Sequence, residues 1–342
     1  MPIPQENIDR LRQLLATPKR IVTVAHANPD GDAIGSSLAW REMLCGMGHH
    51  VTCIVPNKYP YFLDWMPGIG NIIVFRNDES GTATEAVQQA DVIFCLDFNS
   101  LSRLEGLSET IDANTSAVRV LIDHHLSPKE PFDIIFSYPE MSSTSFLVYT
   151  IISAMLGTDA ITREMAEVLY VGMMTDTGNF AYSTLTPELY RSLAVLAQTG
   201  IDIPQIHNLV YNSFTEGRAR LFGYAINRKM EIFHGGKVAY MSLLEGEMRR
   251  FGFQQGDSEG FVNYPLTIKK VKMSAMFLAH RTFIRISLRS RGDVDVNQFA
   301  RKYFEGGGHR NAAGGKSFVS MEETIEKFRR AVAEFAAEGG LK

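Results

Sequence analysis

Histidine and aspartate residues of the kind that bind metal ions recur at four places in this chain of 342 residues. The segment AHANPDGDAIGS contains the first group, and the other groups lie at 97, at 123–125 and at 176. The candidate side chains are His26, Asp30, Asp32, Asp97, Asp123, His124, His125 and Asp176. One divalent ion cannot use so many ligands, which favours two neighbouring ions. Two ions that share an activated water can cleave a phosphoester.

The charge and donor types of this set indicate which metals it suits. Asp30, Asp32, Asp97 and Asp176 carry four negative charges when ionised, and crowding them without cations would raise their pKa values. Two divalent cations would cancel that charge. Oxygen ligands and neutral imidazoles without a thiolate suit Mn²⁺, with Mg²⁺, Co²⁺ or Fe²⁺ as alternatives, and they disfavour a closed structural zinc site.

The sequence around each group predicts the elements that position it. Three groups end runs of apolar and β-branched residues, namely IVTVAH, DVIFCLD and VRVLIDHH. Because the carboxyl ends of parallel strands meet at one edge of a sheet, we expect these side chains to lie close together. The fourth group, TDTGN, follows the helical pattern EMAEVLYVGMM, which places Asp176 just past a helix end.

Strand and helix patterns alternate in the first part of the chain, which predicts an α/β fold. The predicted strands are IVTV, VTCIV, VIFCL and VRVLI, with helices such as DAIGSSLAWREML between them. Continuous apolar strands of this type favour a parallel sheet with helices on both faces. A chain of this length also favours two domains. We therefore predict a catalytic domain at 1–190, a helical connector at 191–217 and a smaller mixed α/β domain at 218–342, with the active site in the cleft between the two domains.

Charge is distributed unequally between the two halves of the chain. Residues 1–217 contain 12 basic and 25 acidic side chains, whereas residues 218–342 contain 22 and 13. The net charge of −4 is therefore the sum of a strongly acidic first half and a basic second half. A polyanion bound over metal ions would require this arrangement.

The basic half contains the residues that we expect to bind substrate. Arg289 lies in ISLRSRGD, and the run GGGHRNAAGG starts at Gly306. Three glycines allow backbone amides to approach a phosphate closely, and the next two side chains add donors. The predicted substrate-binding residues are Arg289, Gly306, Gly307, Gly308, His309 and Arg310.

These motifs, in this order, resemble those of the DHH phosphoesterases over roughly residues 20 to 320. The matching segments are AHANPDGDAIGS, CLD at 95–97, DHH at 123–125, MTDTGNF and GGGHRNAAG. More narrowly, the chain is similar to the branch with a DHH-associated C-terminal domain, which includes bacterial nanoRNases that also dephosphorylate 3′-phosphoadenosine 5′-phosphate (PAP).

The resemblance implies a role for each candidate side chain. His26, Asp30 and Asp97 would hold one ion, while Asp32, Asp97, His124 and Asp176 would hold the other, with Asp97 as the bridge. His125 would face the scissile phosphate. Asp123 is interpreted as a catalytic residue that acts indirectly, by fixing the tautomer of an imidazole.

The resemblance also implies a function, namely hydrolysis of short RNA oligonucleotides and PAP by a water that two metal ions activate. A linear or cyclic dinucleotide phosphodiesterase remains the close alternative. An exopolyphosphatase or pyrophosphatase is less favoured, as is a metal-dependent nucleotide sensor, because a sensor would usually lack a ligand. The resemblance makes a homodimer the expected assembly.

Two further features bear on the site and on location. Ser100 and Arg103 in DFNSLSRL have two open interpretations, contact with substrate or an ordinary capped helix in a loop. Cys45, Cys53 and Cys95 form no CxxC pair, so we expect free thiols in a reducing cytoplasm. No segment approaches the ~20 apolar residues of a membrane span, and no signal peptide is recognisable, so we expect no membrane association.

Overall fold

The computed structural model describes residues 3–126, 128–129, 132–182 and 184–341. The chain separates into two compact units, Met1–Ser213 and Phe214–Lys342. Each unit has a sheet and a hydrophobic core of its own.

The first unit is built on a parallel sheet that, within the described residues, has six strands. The strands are β1 (Arg20–Ala25), β2 (His50–Val55), β3 (Ile72–Val74), β4 (Val92–Leu96), β5 (Val118–Asp123) and β6 (Ile134–Ser137). Their order across the sheet is β3-β2-β1-β4-β5-β6, and every neighbouring pair is parallel. β1, β4 and β5 are therefore adjacent, and the three predicted ligand groups follow them.

Helices cover both faces of this sheet. The described helices of this unit are α1 (Gln5–Leu14), α2 (Gly31–Gly46), α3 (Thr82–Gln88), α4 (Leu107–Ala113), α5 (Thr144–Leu156), α6 (Arg163–Asp176), α7 (Pro187–Gln198) and α8 (Ile203–Tyr211). Val87 of α3 and Ile111 of α4 share one core cluster with Val24 of β1. On the opposite face Trp40 of α2 packs edge-on against Phe94 of β4, with ring centroids 5.3 Å apart.

Close helix packing surrounds the end of the sheet where the ligand groups lie. Gly35 of α2 faces the backbone carbonyl of Val168 in α6, and Gly172 of α6 faces the hydroxyl of Ser145 in α5. A Cβ atom at either glycine would overlap these neighbours. The two glycines therefore allow α2, α5 and α6 to pack against one another beside the site.

The second unit is a mixed sheet with helices. Its strands are β7 (Met230–Phe233), β8 (Val238–Leu243), β9 (Met273–Ala279), β10 (Ile284–Ser290), β11 (Gly307–His309) and β12 (Ala312–Ser317), and its helices are α9 (Glu216–Tyr224), α10 (Glu245–Arg250), α11 (Val296–Phe304) and α12 (Met321–Ala337). In the order β11-β12-β10-β9-β8-β7, β8 and β9 pair in parallel and the other described pairs are antiparallel. Phe328 of α12 and Phe299 of α11 pack on this sheet in a core of buried aromatic rings.

The predicted fold class is confirmed, with some differences in detail. The short strands β3 and β6 at the edges of the first sheet were not predicted, and the glycine run of the second unit forms the hairpin of β11 and β12. Asp176 is the last residue of α6 and does not lie beyond it.

All three cysteines carry free thiols, and Cys53 and Cys95 are buried whereas Cys45 is partly exposed. Burial raises the pKa of the Cys53 thiol to about 11, so this thiol is chemically inert. Among the described helices, none combines the length and the apolarity that crossing a bilayer requires.

Candidate metal centre

His26 stands immediately after β1, and its own loop holds its imidazole in one tautomer. Nδ1 lies 2.9 Å from the carbonyl oxygen of Ala27, which fits a ring that donates from Nδ1. Nε2 lies 3.4 Å from Asp97 Oδ2. Nδ1 is thus hydrogen-bonded to the backbone, and Nε2 faces the acidic cluster as a metal ligand would.

Asp30 and Asp32 belong to the start of α2. Asp30 is the N-cap of this helix, and its Oδ1 accepts hydrogen bonds from the amides of Asp32 and Ala33 at 3.0 and 3.1 Å. Asp32 lies in the first turn and is almost completely buried. The NPDGD segment thus places two carboxylates at a helix N-terminus, where negative charge is stabilised.

Asp97 occupies the centre of the cluster in an unusual backbone conformation. Its φ is 64°, in the left-handed region that is uncommon outside glycine, although asparagine and aspartate adopt it more readily than other side chains. Oδ2 faces Nε2 of His26 at 3.4 Å, while Oδ1 lies 3.6 Å from Nε2 of His124. The two oxygens of this carboxylate thus face two different imidazoles.

His124 directs one nitrogen toward three carboxylates. Its Nδ1 lies 3.2 Å from the carbonyl oxygen of Met141. Its Nε2 lies 3.5 Å from Asp176 Oδ2, 3.6 Å from Asp97 Oδ1 and 3.8 Å from Asp32 Oδ2. Donor atoms that share an ion with bonds of about 2.1 Å lie roughly 3.0–3.4 Å apart. The observed spacing is close to the spacing around one ion.

His125 and Asp123 form a hydrogen-bonded pair beside this cluster. Nδ1 of His125 lies 2.7 Å from Asp123 Oδ1, and the Asp123 side chain is fully buried. A buried carboxylate at this distance fixes the imidazole tautomer and its orientation.

The N-terminus of α5 holds the acidic side chains in place, a role that no pattern in the sequence indicates. The amides of Thr144 and Ser145 donate to Asp32 Oδ2 and Oδ1 at 2.7 and 2.8 Å. The Thr144 hydroxyl donates to Asp97 Oδ1 at 2.8 Å. The SSTS run could have been recognised as a helix start, with Ser143 as the cap, but nothing in it indicates which carboxylates it contacts.

The electrostatics of the cluster fit divalent cations. Burial and the charges of Asp32 and Asp30 raise the pKa of Asp97 well above its ordinary value. Burial opposes protonation of His124, yet Asp176 and Asp97 outweigh it and raise the pKa of His124 to about 9. Such crowding is costly unless positive charge compensates it. Oxygen and imidazole donors without a thiolate are the set that Mn²⁺ and Mg²⁺ prefer.

The structure brings the predicted ligands together in two overlapping groups. In His26, Asp30 and Asp97, one ligand atom from each residue lies within 4.8 Å of the others, and the same holds for Asp32, Asp97 and His124. Asp97 is common to both groups. Asp176 adjoins the second group through His124.

Two of the residues predicted to bind substrate share one face of the second sheet. His309 pairs with Ala312, and Ala312 pairs with Arg289, so the three form one row across β11, β12 and β10. Side chains of directly paired residues point to the same side of a sheet. The small side chain of Ala312 therefore separates a histidine from an arginine on one surface.

The other predicted substrate-binding residues have local structural roles. A Cβ atom at Gly306 would overlap the backbone of Gly314. Gly308 has a φ of 144°, and a Cβ atom there would overlap the backbone of Ala312. Gly307, by contrast, has room for a side chain. Two of the three glycines are thus required by the hairpin itself. Arg310 lies in the turn and donates to Asp293 Oδ1 at 3.1 Å, in an exposed ion pair.

Comparison with known proteins identifies both units. Residues 20–173 match the DHH family N-terminal domain, and residues 235–338 match the DHHA1 domain. A solved exopolyphosphatase-related protein from Bacteroides fragilis is 41% identical, with a TM-score of 0.90 over 97% of each chain. The bifunctional oligoribonuclease and PAP phosphatase NrnA of Thermus thermophilus is 26% identical over 94% of this chain and 91% of its own length.

A more distant structure shares the fold. The RecJ protein of Thermus thermophilus, solved with Mn²⁺, aligns with a TM-score of 0.56 at 14% identity over 99% of this chain and 56% of RecJ. The two domain matches and the strong similarity of the Bacteroides structure agree with the motif order in the sequence. The chain therefore belongs to the DHH phosphoesterase family, with a DHHA1 domain, and is a hydrolase that acts on phosphoester bonds.

Proposed function

We propose that this protein hydrolyses short oligoribonucleotides and PAP with the help of two divalent cations, most favourably Mn²⁺. The observation that carries the proposal is the position of Asp97, whose two carboxylate oxygens face His26 on one side and His124 on the other. The name of the Thermus relative, an oligoribonuclease and PAP phosphatase, supports the choice of substrates.

We assign the ligands to the two ions by the groups that the fold forms. His26, Asp30 and Asp97 hold one ion. Asp32, Asp97 and His124 hold the other, together with Asp176. Asp97 serves both ions, so its loss removes a ligand from each.

The chemistry divides between the ions and the side chains of the chain. When bound, a pair of divalent cations lowers the pKa of a water and stabilises charge on phosphoryl oxygens. Asp123 holds the His125 ring through Nδ1, which leaves Nε2 as the nitrogen that we assign to a phosphate oxygen. Thr144 and Ser145 keep the acidic ligands in place before substrate binds, so no reorganisation is needed in the transition state.

The second unit supplies the groups that we assign to the rest of the substrate. His309 and Arg289 share one face of its sheet, and Gly307 leaves open space where another residue would carry a side chain. A short substrate with a terminal phosphate suits such a small set of donors, whereas long strands need extended stacking surfaces. We also assign Arg310 to the substrate phosphate, which it can bind after its ion pair with Asp293 opens.

One assay tests the proposal directly. Purified protein with Mn²⁺ is given PAP, a dinucleotide, a five-unit RNA, a cyclic dinucleotide and polyphosphate in parallel, and EDTA-treated protein is the control. Rapid hydrolysis of PAP and the short RNA, abolished by EDTA, is the expected result. Cleavage of the linear or cyclic dinucleotide alone would assign a dinucleotide phosphodiesterase instead.

A second candidate function follows from the name of the Bacteroides relative, which is called exopolyphosphatase-related. Polyphosphate hydrolysis faster than that of every nucleotide substrate would establish this candidate and overturn the first. Absence of hydrolysis on all five substrates would favour a nucleotide sensor.

A further inference from the structure

Arg103 is fixed next to the candidate metal centre by its own backbone. It lies in the short 3₁₀ turn Leu101–Leu104, whose two leucines are buried. Its carbonyl oxygen accepts a hydrogen bond of 2.8 Å from the amide of Ala27, the residue after His26. The turn and the loop that carries His26 are thus joined directly, and Arg103 cannot move away without disturbing both.

The charge of Arg103 reaches two imidazoles of the cluster. Burial lowers the pKa of His26, and the charge of Arg103 lowers it further; burial and His124, followed by Arg103, lower the pKa of His125 well below its ordinary value. The 2.8 Å hydrogen bond from the Ala27 amide to the Arg103 carbonyl fixes the turn beside the loop of His26, so Arg103 lies on the side of the cluster that contains His26 and His125. Arg103 is also only partly buried, so an incoming molecule can reach it.

The Arg103 guanidinium contrasts with other arginines of the first unit in its contacts to the described residues. Within the described parts of the chain, it forms no hydrogen bond and no ion pair. Other arginines of this unit do form ion pairs, including Arg76 with Glu105 and Arg119 with Asp112. A cation beside a cluster that is suited to metal ions raises the local positive charge further, which favours binding of an anion there.

We infer that Arg103 is a substrate-binding residue that contacts the scissile phosphate on the side of His26 and His125. This inference rests on the proposed function, since it requires a phosphate over the metal centre. A guanidinium fits the geometry because it can donate two parallel hydrogen bonds to two phosphate oxygens. Arg103 then neutralises charge that the leaving oxygen and the phosphoryl oxygens develop.

The test measures phosphate binding separately from catalysis. Titration calorimetry follows inorganic phosphate binding to Mn²⁺-loaded protein, in the wild type and in R103Q, R103K and R76Q. Arg76 is the matched control because it is exposed and pairs with Glu105, near the same turn. Mn²⁺ affinity of each variant is measured first, without phosphate.

We expect R103Q to bind Mn²⁺ normally, to bind phosphate at least tenfold more weakly, and to lose on the order of 10²–10³-fold in kcat/KM. R103K should recover part of the phosphate affinity, and R76Q should match the wild type. Equal phosphate affinity in the wild type and R103Q, or loss of Mn²⁺ binding in R103Q, would overturn the inference. Absence of phosphate binding to the wild type would also overturn it.

The calorimetric test separates this inference from the choice of substrate. If the wild type hydrolyses polyphosphate rather than nucleotides, the proposed substrates are wrong, yet the phosphate affinity of R103Q still decides the role of Arg103. If nucleotides are hydrolysed and R103Q binds phosphate normally, the proposed function stands and the inference about Arg103 fails.

Discussion

Thr144 donates its hydroxyl to Oδ1 of Asp97 across a distance of 2.8 Å, and both side chains are buried. Thr144 lies in the first turn of α5, whereas Asp97 follows β4, so the contact joins two elements that are 47 residues apart in sequence. The oxygen that accepts this hydrogen bond also faces His124. The hydroxyl therefore orients the carboxylate to which we assign both ions.

Replacement of Thr144 by valine tests this orienting role. Valine has nearly the same shape and keeps the backbone amide that holds Asp32, so only the hydrogen bond to Asp97 is lost. Loss of a group that orients a ligand typically weakens metal binding 10- to 100-fold, and we expect about tenfold for T144V. Titration calorimetry with Mn²⁺ measures the affinity of T144V and of the wild type.

The control for this variant lies on the same helix. Thr150 donates its hydroxyl to the carbonyl oxygen of Phe146 and contacts none of the ligands. T150V should therefore bind Mn²⁺ like the wild type. If T144V also kept the wild-type affinity, the hydrogen bond to Asp97 would have no role in metal binding.

Gly172 of α6 is expected to tolerate no side chain. A Cβ atom there would overlap the Ser145 side chain and would lie 2.9 Å from Asp32 Oδ1. We expect G172A to be destabilised by about 1–3 kcal/mol, as overpacked cores are, and to bind Mn²⁺ more weakly because Asp32 must shift. Thermal denaturation with and without Mn²⁺ measures both effects.

Gly46 provides the comparison for this substitution, because it ends α2 and a Cβ atom added there would meet none of the described residues within 4 Å. G46A should keep the wild-type Mn²⁺ affinity and change stability by no more than about 1 kcal/mol. Equal melting temperatures and Mn²⁺ affinities for G172A and the wild type would show that α5 and α6 have more room than the structure indicates.

The central elements of the fold were predictable because their signals are local. β1, β4 and β5 are apolar runs buried on both faces, and the ligands follow directly at the strand ends. β3 and β6 have only three and four residues at the edges of the sheet, so no long apolar run marks them. β11 begins with two glycines, a residue type that is depleted in strands, so its sequence does not indicate a strand. Only its pairing with β12 identifies it.

The supporting contacts of the site could not be predicted in the same way. Asp32 is held by two backbone amides of α5, and every residue type except proline offers such an amide. Only the tertiary structure shows which carboxylate they reach. Arg103 had two open interpretations in the sequence, and its position beside His26 became visible through the backbone contact with Ala27.

Asp97 to Asn tests the bridge between the two ions. The amide keeps the size of the side chain but removes its charge and replaces one oxygen by an NH2 group, so one group of ligands loses its Asp97 oxygen and the other keeps only a neutral one. We expect turnover to fall below detection while the circular dichroism spectrum stays unchanged. Asp112, an exposed residue that pairs with Arg119, serves as the control, and D112N should retain turnover. Hydrolysis by D97N near the wild-type rate would refute the bridging role.

Arg310 lies in the hairpin turn, and the predicted phosphate contact competes with its ion pair to Asp293. The pair is exposed, with 58% and 96% of the two side chains accessible, so it contributes at most about 1 kcal/mol and can open for substrate. If Arg310 then binds a phosphate, its replacement by alanine removes a charge-assisted hydrogen bond and raises KM about tenfold, with kcat nearly unchanged.

Steady-state kinetics with PAP and a short RNA measure this effect for R310A. The control is R291A, which removes a neighbouring exposed arginine of the same unit and should leave KM unchanged. D293N should leave KM unchanged or lower it, because Arg310 then loses its competing partner. An unchanged KM in R310A would show that Arg310 does not bind phosphate. The phosphate contacts of this unit would then come from His309, Arg289 and the backbone of Gly307.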